Sequence, residues 1–200
     1  MRKFLPWIVV GGILLIAVFW FVSIKNGAVK TNQEVNKEWG NVETSYQRRN
    51  DLIGNLVETV KGAADFEKST LEAVTSARAS ASQVKIDPTN ITPEQLAQFN
   101  QAQSGVSSSL SRLLVTVENY PDLKSNQNFL KLQDELASTE NQILTARTRF
   151  NEAVQKYNNY ILVFPNSMFL GNYKEKPYFD AVAGAEKPVD VKFNFSNDKK

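Results

Sequence analysis

The side chains with the most chemical potential in this chain are its carboxylates, its serines and one arginine, Arg49. There is no histidine and no cysteine. That excludes thiolate nucleophiles, imidazole bases, Cys- or His-ligated zinc and disulfides. Di-metal helical bundles use Glu-x-x-His pairs, which a chain without histidine cannot supply. A calcium loop needs clustered Asp and Glu around a Gly turn, and no stretch has that pattern. Phosphate-cradling glycine loops, dinucleotide fingerprints and a G-x-S-x-G elbow are missing as well. The serines have no recognisable base beside them, and a Ser–Lys pair assembled by folding is left open. The sequence therefore assigns no catalytic residue, no metal ligand and no cofactor. It predicts a protein that is not an enzyme.

Arg49 is unusual because of where it falls. Val35, Trp39, Val42, Tyr46, Arg49, Ile53, Leu56, Val60 and Ala63 are spaced alternately by four and three. That average of about 3.5 is the period of a helix whose seam faces other helices, as in a coiled coil. An arginine on such a seam must be paired, because an isolated buried charge is very costly. Glu118 or Glu140 is the carboxylate expected to face it from a neighbouring helix, forming an ion pair that fixes helix register.

The elements that position this seam follow from the same periodicity. Helix one is expected over residues 31–64, with Gly27 before it either a hinge or a residue the helix runs through. A second helix carries Leu71, Val74, Ala77 and Ala81 on one face. After a loop at residues 85–91, Thr92-Pro93-Glu94-Gln95 reads as a capping box with proline in the first turn. The third helix shows Leu96, Phe99, Gln103, Val106, Leu110, Leu113, Val117 and Tyr120, and Pro121 ends it. The fourth starts near Ser125 or Asn126. It carries Phe129, Leu132, Leu136, Thr139, Ile143, Ala146, Phe150, Ala153, Tyr157, Tyr160 and Phe164 until Pro165. At roughly 38 residues it is stable only if partners line its whole length. Short connections between four amphipathic helices give an antiparallel four-helix bundle with long helices.

Before the bundle, residues 4–24 form 21 positions without a charge, 14 of them Leu, Ile, Val or Phe. As a helix they span roughly 31 Å, the thickness of a bilayer core. The expected anchor includes Phe4, Trp7, Ile13, Leu14, Phe19, Trp20 and Ile24. A cleaved signal peptide would have a shorter apolar run and small residues at its end; bulky Trp20, Phe21 and Val22 stand there instead. The tight Arg2-Lys3 cluster tilts the orientation toward an N-terminus on the cytoplasmic side. Beyond Lys25 the chain has 20 basic and 21 acidic residues. It lacks the concentrated basic face that a nucleic-acid binder needs.

After Pro165 the helical period stops. Val189-Asp190-Val191-Lys192-Phe193-Asn194-Phe195 alternates as a β-strand does. A lone strand has unpaired edges, so Tyr178, Phe179, Val189, Val191, Phe193 and Phe195 are candidate partner-binding residues of the tail, against the alternative of a disordered end. The sequence thus divides into an anchor at 1–25, a bundle at 26–165 and a tail at 166–200. The fold class is all-α with a short C-terminal strand left open.

Three blocks resemble one family. Residues 48–62, Arg-Arg-Asn-Asp-Leu-Ile-Gly-Asn-Leu-Val-Glu-Thr-Val-Lys-Gly, are similar to a signature of the LemA family, with Gly54 where that family usually has proline. Residues 118–124 match its Glu-Asn-Tyr-Pro-Asp-Leu-Lys block, with Ser125 in place of the usual alanine. Residues 129–146 match its Leu-Gln, Glu-Leu and Thr-Glu-Asn landmarks. Tyr157-Asn158, Phe164-Pro165 and Tyr178-Phe179 look like its terminal landmarks. The resemblance implies a bacterial protein with one N-terminal transmembrane helix and a helical bundle, and no known reaction. It also implies a context: magnetosome membranes in one branch, and proximity to the membrane metalloprotease HtpX in others. The expected function is a membrane-tethered interaction scaffold that binds the bilayer and further copies of itself. The alternative is an adaptor of membrane-protein quality control acting on such a protease or another membrane protein.

Overall fold

The computed structural model describes residues 5–62 and 66–180, apart from the side chains of residues 5, 6 and 8. Phe4, Ala63 and the alternating segment with Val189, Val191, Phe193 and Phe195 lie outside the described residues. The described residues form five helices: α1 (Leu5–Lys61), α2 (Lys68–Gln83), α3 (Pro93–Val117), α4 (Pro121–Lys124) and α5 (Gln127–Leu162). Single 3-10 turns lie at Pro88–Asn90 and Asn166–Met168. There is no strand among the described residues.

The first helix is 57 residues long. At ~1.5 Å per residue it is a rod of roughly 85 Å. It runs unbroken through Gly27, so the hinge alternative is excluded and the apolar segment and the bundle share one helix. Gly27 is there for contact: the Tyr160 hydroxyl donates to the Ile24 carbonyl at 3.1 Å and crosses the helix where a Gly27 side chain would stand. Gly40, by contrast, faces open space. Gly40→Ala should therefore stabilise the chain by up to about 1 kcal/mol, the ordinary helix-propensity gain. Gly27→Ala should instead destabilise by about 1–3 kcal/mol, because the new Cβ displaces the Tyr160 ring. Thermal unfolding of the two variants reads opposite signs.

The caps follow the sequence. Thr92 accepts from the Gln95 N–H at 3.2 Å and Gln95 returns the bond to the Thr92 N–H at 3.0 Å. The Asn126 side chain caps α5, accepting from Asn128 and Phe129. The block at 118–124 holds an extra single turn, α4, which periodicity could not show because four residues carry no repeat.

The stripes meet as an up-down-up-down bundle. α1 packs along α5, and the α2–α3 hairpin covers that pair. Every described seam residue of α1 from Val35 to Val60 is buried. The core has two parts. One, toward the apolar end of α1, gathers Ile24, Val35, Trp39, Val42, Tyr46, Phe99 and Phe150. The distal one gathers Ile53, Leu56, Val60, Val74, Val106, Leu113 and Leu136. Two expected positions differ. Ile24, read as anchor, is a core residue, because Tyr160 and α5 reach down to it. Phe164, read as seam, is exposed, because α5 ends at Leu162.

Candidate functional site

The two halves of the core are separated by a polar layer centred on Arg49, which is 2% exposed. Its Nη2 donates to Gln103 Oε1 at 2.5 Å and to the Gln103 carbonyl at 3.4 Å. Its Nη1 donates to Ser107 Oγ and to Glu140 Oε1, both at 3.1 Å. The guanidinium also sits 4.9 Å from the centre of the Tyr46 ring. Gln103, Asn50 and Thr139 complete the layer and are buried with it. Burial raises the Tyr46 phenol above its ordinary range. Of the two carboxylates expected opposite Arg49, the structure brings Glu140 to it and not Glu118. Glu118 lies at the far end of α3 and pairs with Lys124 in α4. The helices of α3 and α5 approach α1 at Arg49 through Gln103 and Glu140, and Glu118 is about four turns farther along.

Beside this layer a cleft of about 390 Å³ opens between α1, α2 and α3, lined by Glu43, Gln47, Asn50, Lys85 and Gln103. A second groove of about 500 Å³ on the outer α1–α5 face carries Asn41, Ser45, Ser138, Asn141 and Gln142. Among the described residues no group of three or more Asp and Glu is placed to hold a metal ion. The arrangement offers hydrogen-bonding surfaces between the helices.

The second feature is a strap that aperiodic sequence could not reveal. After α5 the chain turns and runs back along that helix to residue 180. The Asn158 side chain accepts from the Lys176 N–H and donates to its carbonyl, both at 2.9 Å. Asn151 does the same with Phe179, at 2.9 and 3.0 Å. Seven helical residues rise ~10.5 Å and three extended residues ~10 Å, so two asparagines two turns apart match two strap positions three apart. Arg147 donates to the Asp180 carbonyl at 3.0 Å and covers the Phe179 ring. The Lys176 ammonium is buried, donating to the carbonyls of Pro88 at 2.7 Å and Thr89 at 3.3 Å. Burial pushes it below the usual lysine range, against the opposing pull of Asp87. The strap thus ties α5 to the loop between α2 and α3.

Phe179 is therefore a core residue and not a docking residue. It is 5% exposed and stacks on Trp39, with ring centroids 6.0 Å apart and planes 10° from parallel. Tyr178 is 43% exposed, and its hydroxyl accepts from the Asn158 amide at 3.5 Å. The expected anchor residues Trp7, Ile13, Leu14, Phe19 and Trp20 are all exposed on α1.

Comparison with known proteins adds to this geometry. The model of the LemA family matches residues 38–193. The chain belongs to the LemA family. The LemA match opens next to Trp39 and includes Arg49, Gln103, Glu140, both strap asparagines and Phe179, so it takes in the polar layer and the strap together. "Protein LemA" of Metamycoplasma hominis is 26% identical over 154 residues, covering 76% of this chain and 67% of that relative. "Magnetosome protein MamQ 2" of Paramagnetospirillum magneticum is 26% identical over 183 residues, covering 82% and 67%. "Magnetosome protein MamQ" of Magnetospirillum gryphiswaldense is 26% identical over 184 residues with the same coverage. One helix of this LemA chain, α1, is long and apolar enough to cross a membrane, and its apolar window is almost wholly exposed.

Proposed function

We propose that this LemA-family chain is a membrane-tethered interaction scaffold that associates with further copies of itself. The observation that carries the reading is α1. One uninterrupted helix leaves an exposed apolar segment and becomes the central rod of the bundle. A rod of that kind sets the bundle's height and attitude above a bilayer. The interior supports a scaffold role too, since the Arg49 Nη groups and the Gln103, Asn151 and Asn158 side chains are bonded across elements and hold register. The surfaces left for partners are the polar grooves between helices and the outward-facing helix sides. The two magnetosome proteins among its relatives support placing this chain at a membrane.

The test is the mass of the full chain in nanodiscs and mild detergent, by light scattering over a range of protein densities, with crosslinking in native membranes. The expected result is a concentration-dependent assembly and self-crosslinks. A monomer at every density with no self-crosslink overturns the self-association. Crosslinking to a membrane protease in its place would support the quality-control adaptor.

A further inference from the structure

We propose that the turn between α5 and the strap, residues 162–169, is a second membrane contact that enters the bilayer interface beside α1. The inference rests on the reading of the N-terminal part of α1 as a membrane anchor.

The geometry begins with depth. Lys25 is the first charge after the apolar run, which places it at the headgroup level. Phe169 packs edge-on against Trp20 and Phe21, with ring centroids 5.7 and 5.8 Å apart. Trp20 is five residues before Lys25, so about 7.5 Å toward the membrane centre along the helix. Amphipathic elements that lie in an interface bury their apolar side by a similar ~5–10 Å. The turn therefore touches α1 within the apolar run, at interfacial depth.

Its composition agrees. From Tyr157 to Tyr173 there are 17 residues without a charge, bracketed by Lys156 and Lys174. That run falls in a chain whose charged content is 22%. The side chains at the turn are apolar and uncovered: Leu162, Val163, Phe164 and Met168 are all exposed, Phe164 by 74% and Met168 by 70%. A soluble loop tip would carry polar residues here. Around the base of the turn the groups are those of an interface. The Lys25 ammonium lies over the rings of Phe21 and Tyr173, 5.6 and 5.3 Å from their centres, and Tyr160 bonds to the Ile24 carbonyl. Aromatic rings and lysines at that height are the usual headgroup-level anchors.

The patch is continuous with the membrane-spanning surface of α1, which selects lipid as its occupant over a second copy or another protein. Two contacts on one rigid body would fix the tilt of the bundle, as one helix alone cannot.

The chain has no cysteine, so single cysteines can be introduced and labelled with an environment-sensitive fluorophore. The full chain is reconstituted in phosphatidylcholine vesicles with labels on Phe164→Cys, Met168→Cys, Leu144→Cys, Val18→Cys and Val22→Cys. Circular dichroism checks the fold of each. The expected result is a blue-shifted emission at 164 and 168, quenched by lipids carrying a nitroxide near the carbonyls, and within about a factor of two of the quenching of a label at Val22→Cys, as for a shared interfacial depth. The label at exposed Leu144 stays aqueous, and that at Val18 is quenched by deeper nitroxides. If 164 and 168 match Leu144 while Val18 is quenched, the second contact is refuted and the tether stands. If Val18 is itself aqueous, the tether fails and the second contact with it. A blue shift at 164 and 168 without lipid quenching means protein covers the turn, and overturns the proposal.

Discussion

Trp39→Ala is expected to remove about 3–5 kcal/mol of unfolding free energy. A domain of this size has only about 5–15 kcal/mol in total, so the variant sits near the edge of folding. Trp39 is fully buried, with Phe99, Phe150 and Phe179 packed on it at centroid distances of 5.4, 5.5 and 6.0 Å. Those rings come from α3, α5 and the strap, so truncation leaves a cavity that none of the helices can close alone. Phe179→Ala should cost less, about 3 kcal/mol, because the strap keeps its asparagine bonds. It should also free the strap, which hydrogen exchange at Lys176 and Phe179 would report. Urea unfolding of both variants checks the order. A Trp39→Ala loss below about 1 kcal/mol would mean the aromatic cluster is not packed as described.

Removing one member of the Arg49 layer is expected to cost more than removing two. Gln103→Leu takes the shortest acceptor from a buried guanidinium, and Arg49→Met leaves the Gln103 amide without its donor. Each should destabilise by about 2–3 kcal/mol, the desolvation penalty of an unpaired buried group. The double variant replaces the pair by apolar side chains of similar volume and should be within about 1 kcal/mol of the parent. The coupling energy in that double-mutant cycle is then about 3–6 kcal/mol. Glu140→Gln should cost about 1 kcal/mol at most, because its carboxylate is half exposed and solvent screens it. Additive single losses would show that Arg49 and Gln103 do not act as a unit. The double variant should also broaden the helix–helix distance distribution among α1, α3 and α5, since a buried polar layer helps to fix register in an apolar seam.

What was legible in the sequence was whatever repeats. The stripes of α1, α3 and α5 are long, and Val35 through Val60 on α1 are buried in the register their spacing gives. Arg49 stood out because it interrupted such a stripe. Its partner was not legible, since Glu118 and Glu140 both lie on facing helices and only the helix offsets separate them. The role of Gly27 was also hidden. Whether a glycine bends a helix or accepts a neighbour depends on Tyr160, 133 residues away in sequence. Phe179 was misread as a docking residue because an extended strap has no helical period and too few residues to show a strand period. The signal for it lay in α5, where Asn151 and Asn158 sit two turns apart beside the apolar stripe.

The most direct test of the account is a nitroxide scan along α1 from Phe19 to Asn36 in the full chain, reconstituted in lipid vesicles, with oxygen and a polar nickel reagent as relaxers. One helix carries the bundle out of a bilayer if the labels before Lys25 favour oxygen, those after it favour nickel, and the side-chain period of about 3.6 continues through Gly27 without a phase shift. Aqueous accessibility at every position, or a break in the period at Gly27, would contradict the account.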